Sequence, residues 1–335
     1  MILNSYGDMA QHLFLRSRNT ELKENVTTLS EEFATGKSAN LSERLGGDFT
    51  YLADLESSLN RIGSYMVANS EVRLFATATQ GSLDKVHSQV EAMRNDILRL
   101  SPALDTENAQ QFGSQAKQRL SSAINLMNTA VGGRTIFAGT ATDTKPLNDT
   151  STLMTAILTE VSGLTTSNDI IQEVKDWFDD PAGFDAVMYR GSTTSLQPVT
   201  VGEGEQVTLG IRADDENLKH ALQSYVITAL ADEPSLGLTE DVQIDLVIKA
   251  SSELTESADR LIDLQADVGF IEGQLEAVNT RNEASKTSLS IVKNNLVSAD
   301  PYETYTRLQE AQTQLEGLYT ITARSSQLSL LKYIS

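Results

Sequence analysis

The stretch from Ser251 to Ser298 constrains this chain more than any other. With Leu254 as position a of a heptad, the a series runs Leu254, Leu261, Val268, Leu275, Asn282, Leu289, Leu296, and the d series Ser257, Leu264, Ile271, Val278, Ser285, Val292. That is a sustained coiled-coil seam. No proline stands between Pro234 and Pro301, so a helix of about 48 residues, roughly 70 Å long at about 1.5 Å per residue, is allowed. A helix of that length cannot bury its own apolar stripe. It needs partner helices, and function becomes a question of which partners.

The N-terminal segment carries a seam of the same kind, with Leu15, Leu22 and Leu29 interleaved with Asn19, Val26 and Phe33. Gly36 closes it as a residue free to take the left-handed cap conformation. The Gly36-Lys37-Ser38 run is not a phosphate loop, because Glu31 occupies the place of the first glycine and a helix, not a strand, precedes it. Asp48 is placed to cap a second helix, with Leu52, Leu55, Leu59, Ile62 and Met66 on one stripe. The stripe changes phase and resumes as Ala76, Thr79, Leu83, Val86, Val90, Met93, Ile97 and Leu100 before Pro102, a stutter in a long hairpin arm. A third helix is predicted from about Thr106 to Val131, its small residues among Ala109, Phe112, Ala116, Leu120, Ala123 and Met127 allowing close packing.

Past Gly132-Gly133-Arg134 the long period is lost. The run from Thr135 to Gly139 is β-prone, and helices are predicted over Thr152 to Val161, Asp169 to Phe178 and Glu216 to Leu230. Val199 and Val201 face Val207, Leu209 and Ile211 across Gly202-Glu203-Gly204-Glu205, a β-hairpin pattern. Beyond Pro301 a last amphipathic helix carries Tyr305, Leu308, Leu315, Tyr319, Leu328 and Leu331.

The expected fold is mainly α: a long antiparallel coiled-coil helical rod made from both termini, with an inserted mixed α/β domain. Residues 1–47 and 299–335 are read as a terminal coiled-coil domain, 48–141 and 240–298 as a helical rod domain, and 142–239 as the insert. Six prolines, one tryptophan and 6% aromatic residues in 335 positions suit long helices. Between Asp143 and Glu240 there are 17 acidic against 5 basic residues, so the insert is expected to project outward and to be removable without loss of the rod. The net charge of −20 and the lack of clustered Lys and Arg argue against nucleic acid as a partner.

The chain has no cysteine, which removes disulfides, thiol nucleophiles and zinc fingers. The first residues lack the pattern of a cleaved signal, and no run approaches a membrane span. His12, His87 and His220 are far apart and none is followed by Glu, so no metal or catalytic site is expected. Gly202 and Gly204 lie in the hairpin turn and not in a dinucleotide fingerprint, and Asp214-Asp215-Glu216 reads as a helix cap and not a calcium loop. Asn282, at an a position, is expected to fix register between helices, so that Asn282→Leu would raise stability. The terminal stripes are the candidate assembly interface: Leu15, Leu22, Val26, Leu29 and Phe33 on one helix, Tyr305, Leu308, Leu315, Tyr319, Leu328 and Leu331 on the other.

Four segments together resemble the flagellin superfamily, and within it the hook-filament junction branch: Phe33-Ala34-Thr35-Gly36-Lys37-Ser38-Ala39-Asn40, Gly132-Gly133-Arg134-Thr135-Ile136-Phe137-Ala138-Gly139-Thr140 with Pro146, Tyr189-Arg190-Gly191, and Ser326 through Ile334. The segment from Leu41 to Asp48 departs from the family's aspartate-rich loop. The resemblance implies a non-enzymatic structural adaptor without cofactors, extracellular on the bacterial flagellum and exported without a cleaved signal. Its implied partners are flagellin, hook-associated protein 1, further copies of itself in a ring and an export chaperone, with no role for nucleic acid or membrane. A filament-forming flagellin is the alternative.

Overall fold

A computed structural model describes the secondary structure of residues 2–334 and the side-chain surroundings of residues 9–325. In chain order the elements are α1 (Ile2–Thr35), α2 (Leu41–Arg44), α3 (Thr50–Leu100), α4 (Thr106–Met127), β1 (Ala130–Val131), β2 (Arg134–Thr135), α5 (Thr150–Glu160), α6 (Ser167–Asp179), β3 (Val199–Gly202), β4 (Glu205–Val207), α7 (Glu216–Ala229), α8 (Glu240–Val297) and α9 (Pro301–Ile334). The fold is mainly α, and the strands form two small antiparallel pairs, β1 with β2 and β3 with β4. The chain divides into two units, Met1–Ile62 with Ala284–Ser335, and Gly63–Glu283, with α3 and α8 contributing to both.

The larger unit rests on the predicted stripes. In α8 the heptad positions Val247, Ala250, Leu254, Ser257, Leu261, Leu264, Val268, Leu275, Val278 and Asn282 are buried and Ile271 is half-buried, as a seam with alternating spacings of three and four requires. The helix starts at Glu240 and spans 58 residues, well before the expected Ser251. Gly237, in the left-handed conformation at φ 59°, ends the preceding turn, and the Thr239 carbonyl accepts from Val242 and Gln243. The phase change in α3 does not break that helix, which runs unbroken for 51 residues. At the change sits a buried polar residue, Asn69, whose Nδ2 donates to the Leu275 carbonyl at 2.9 Å.

All six residues named on the α4 stripe are buried. Gly113 on that helix lets the backbone at Asp232 come so near that a Cβ would stand 2.5 Å from the Asp232 Cβ. The helix stops at Met127, earlier than the expected Val131, because Ala130 and Val131 pair with Thr135 and Arg134. Gly132 and Gly133 make that turn at φ 59° and 81°, the two successive positive φ angles of a tight hairpin. Of the β-prone run only Thr135 joins a ladder, opposite Ala130. Ile136, Phe137 and Ala138 are buried instead, held by Ala213 N donating to the Phe137 carbonyl and Ser192 N to the Ala138 carbonyl, both at 2.9 Å.

Residues 142–239 hold three α-helices, shorter helical turns and one hairpin, the small mixed region expected. The hairpin is in the predicted place, with Val199 opposite Val207 and Gly202 opposite Glu205. The segment does not stand apart from the long helices, however. Leu153, Ile157, Ile170, Val174, Phe178, Leu222 and Val226 belong to one continuous buried core with Leu83, Leu120 and Leu254. The acidic residues of α6 show how charge and core coexist: Asp169, Asp176 and Asp179 are exposed while Ile170, Ile171, Val174, Trp177 and Phe178 are buried on the other face.

Asn282 also differs from expectation. Its Nδ2 donates to the Val201 carbonyl at 2.8 Å, so it fastens the β3–β4 hairpin to α8 and does not form a polar layer between helices. Val278, one turn earlier, stands where a Cβ on Gly202 would be 3.0 Å away. The hairpin backbone therefore lies directly on the seam of α8.

Candidate assembly face on the terminal helices

In the smaller unit, α1 and α9 run antiparallel, as the pairs Phe33 with Tyr305 and Lys23 with Tyr319 require. On α1 the predicted seam is the inward one: Leu22 and Leu29 are buried, Leu15, Asn19 and Val26 half-buried. On α9 the inward positions are Thr304, Leu308, Ala311, Leu315, Leu318 and Thr322, again spaced by fours and threes. Tyr305 and Tyr319 each lie one residue off that line. The Tyr305 ring meets Phe33 at 5.8 Å between centroids, and Lys23 Nζ stands 5.8 Å from the Tyr319 ring centre.

The predicted interface residues thus fall into three groups. Leu22 and Leu29 are buried in the pair, and Leu15, Val26, Leu308 and Leu315 are half-buried. Phe33, Tyr305 and Tyr319 remain 49%, 50% and 45% exposed. Leu328 and Leu331 lie outside the residues whose side chains are described. The sequence reading missed Met9, Leu13, Phe14, Tyr302 and Ile321, all more than half exposed. Met9 with Leu13, four apart, and Tyr302 with Tyr305, three apart, are legible as stripes, but they run beside the seam and not along it.

The two corners of this unit are joined by backbone. Gly36 ends α1 at φ 66°, Lys37 bridges Ser298, Ser38 N donates to the Val297 carbonyl and Ala299 N to the Gly36 carbonyl, both at 2.9 Å. Arg44 on α2 donates Nε to the Leu296 carbonyl at 2.7 Å and a terminal nitrogen to the Asn295 carbonyl at 3.3 Å, a cation on the unpaired carbonyls that end α8. Asp300 accepts from Tyr302 N and Glu303 N, with Pro301 as the first residue of α9. Asp48 accepts from Thr50 N at 2.9 Å, and that backbone bond holds its carboxyl below the ordinary 3.8.

In the larger unit, one group of metal-type donors comes together among the described residues: His220 on α7 with Glu253 and Glu256 on α8. Burial pushes the His220 imidazolium down, and Arg260 adds to this. Spacing along the chain does not reveal this group, because Glu253 and Glu256 come from a different helix than His220.

Residues 252–334 match the family model described as the bacterial flagellin C-terminal helical region. Among solved structures the chain is similar to a flagellar hook-associated protein from Vibrio parahaemolyticus, with TM-score 0.50 and 15% identity over 73% of this chain and 95% of that one. It is also similar to FlgL of Bacillus cereus, at 0.51 and 14% over 72% and 100%, and to flagellar hook-associated protein-3 of Legionella pneumophila, at 0.51 and 10% over 73% and 98%. At these identities the likeness establishes the fold. No curated protein sequence matches the chain.

Proposed function

We propose that this chain is a structural subunit of the bacterial flagellum that joins hook-side protein to the flagellin filament by packing α1 and α9 into a tubular wall. The carrying observation is the apolar surface left on those two helices. Phe14, Leu13, Met9, Tyr302 and Ile321 stand 68%, 63%, 64%, 83% and 57% exposed, far from the polar outer face of a helix pair that works alone. Complete burial of one such side chain contributes about 1.5–3 kcal/mol, so a few of them against neighbouring chains are enough to drive assembly. Residues 1–47 and 299–335 are the assembling part on this reading.

The neighbours in the wall are further copies of the chain in a ring, hook-associated protein 1 on one side and flagellin on the other, and an export chaperone covers the same apolar faces before secretion. The role is mechanical and needs no catalysis. The match of residues 252–334 to the flagellin C-terminal region favours one second reading, a flagellin that builds the filament itself. Tagged chain located on isolated flagella separates the two. A ring at the filament base is expected, label along the whole filament gives the flagellin reading, and absence from flagella overturns both.

A further inference from the structure

Two serines and a backbone carbonyl surround the Nδ1 side of His220. Ser224 Oγ donates to the His220 carbonyl at 2.9 Å, and Ser257 Oγ stands 2.6 Å from Ser224 Oγ and 2.7 Å from His220 Nδ1. A hydroxyl has one hydrogen to give. Ser257 Oγ also reaches the His220 carbonyl, at 3.2 Å; in the arrangement where both serine hydrogens stay on the carbonyl and on each other, Nδ1 carries the ring hydrogen and donates to Ser257. The other ring nitrogen, Nε2, then presents its lone pair. It faces Glu253 Oε2 at 3.5 Å and Glu256 Oε2 at 3.8 Å, beyond the reach of an N–H···O bond of ordinary length.

The carboxylates are oriented for the same point. Lys175 Nζ takes Glu253 Oε1 at 2.7 Å, and Arg260 takes Glu256 Oε1 at 2.6 Å, which leaves both Oε2 atoms turned to the ring. Glu253 Oε2 is fully buried and without a hydrogen-bond partner, a costly state for a carboxylate oxygen. In that arrangement three lone-pair atoms converge, all within 4.8 Å of one another. Bonds of about 2.0–2.2 Å to a tetrahedral metal set its ligand atoms about 3.3–3.6 Å apart, close to the two separations observed.

We propose that His220, Glu253 and Glu256 bind a zinc ion that staples α7 to α8. One imidazole with two carboxylates suits Zn²⁺ better than the all-oxygen shells of Ca²⁺ or Mg²⁺. The Nδ1–H to Ser257 bond is the outer contact that fixes a ligating histidine in its tautomer. Glu256, half exposed, leaves the fourth position open to water. Lys175 and Arg260 already offset the two carboxylate charges, so binding is weaker than at a thiolate site. This site is independent of the flagellar role.

The test is zinc titration of the full-length, metal-stripped chain by calorimetry, with Co²⁺ as the optical probe, on the native chain and on Glu256→Gln and His220→Gln. One zinc per chain, a raised melting temperature and the strong visible absorption of tetrahedral Co²⁺ are expected. Each variant should weaken zinc by more than about tenfold and lose the Co²⁺ bands. Glu256→Gln alters a half-exposed side chain and decides the matter if His220→Gln does not fold. No zinc bound to the native chain, or equal affinity in native chain and Glu256→Gln, overturns the proposal.

Discussion

The two units use the same heptad grammar and finish it differently. In the larger, Ala76, Val90, Ile97, Ala116, Leu120, Leu254, Leu261 and Val268 are completely buried. In the smaller, the best-covered apolar side chains among the described residues, Ala311, Leu22 and Leu55, keep 4–5% exposure, and Phe14, Tyr302 and Ile321 stay wet. A seam closed on all sides by a third and fourth helix is a core. A seam closed on one side by one helix leaves apolar surface uncovered, the surface that the proposed role assigns to neighbouring chains.

The contrast is broken most sharply by adding charge to the open half. Phe14→Glu with Tyr302→Glu is expected to abolish incorporation into flagella while leaving the melt of the free chain unchanged, because neither side chain is covered in it. Unaltered incorporation, read by immunolabelling, would remove these residues from the interface. Next in size is a cavity in the closed half: Leu254→Ala should cost about 3–5 kcal/mol in urea unfolding, whereas Leu29→Ala should cost the free chain much less and show its effect on assembly. Equal losses in the free chain would mean that both seams are finished cores.

Asn282→Leu is expected to destabilise the larger unit by about 1–3 kcal/mol, since it leaves the Val201 carbonyl without its donor against a buried surface. A rise in thermal stability would restore the register reading. Arg44→Ala should be milder, about 0.3–1 kcal/mol, and local, visible as faster amide exchange near the end of α8. Acid gives the smallest effect. Asp48 and Asp149 both have carboxyls held below 3.8 by backbone bonds at the starts of α3 and α5. Their contribution is complete above 3.8 and disappears as pH falls through the lower folded values. Amide exchange at Thr50 and Thr152 should quicken in that window. No change there would show that the caps are not needed.

Local signals carried well. The α4 stripe, the β3–β4 turn and the cap at Asp215, which accepts from Asn217 N, depend on neighbours in sequence, and each is where the residues put it. The inward line of α9 lies one residue from Tyr305 and Tyr319 and is filled by Thr304, Ala311 and Leu318, whose packing against α1 is not marked by large aromatic side chains. Asn282, the buried run Ile136–Ala138 and the His220 group could not be read from spacing. Their partners, Val201, Ala213 and Glu253, stand far away in sequence and are chosen by packing.

One stretch of α8 belongs to neither pattern. From Glu283 to Ser288 every side chain is exposed, although the residues before it are a core seam and Val297 after it is buried again. Apart from Asn279 Nδ2 donating to Glu283 Oε1 at 2.7 Å, this part of the helix relies on its own backbone ladder, and Ser285, Thr287 and Ser288 are indifferent helix formers. A protease should find its first foothold on α8 there, so the gel pattern of a brief digestion, run on the free chain and on the assembled one, would report whether assembly shields this span.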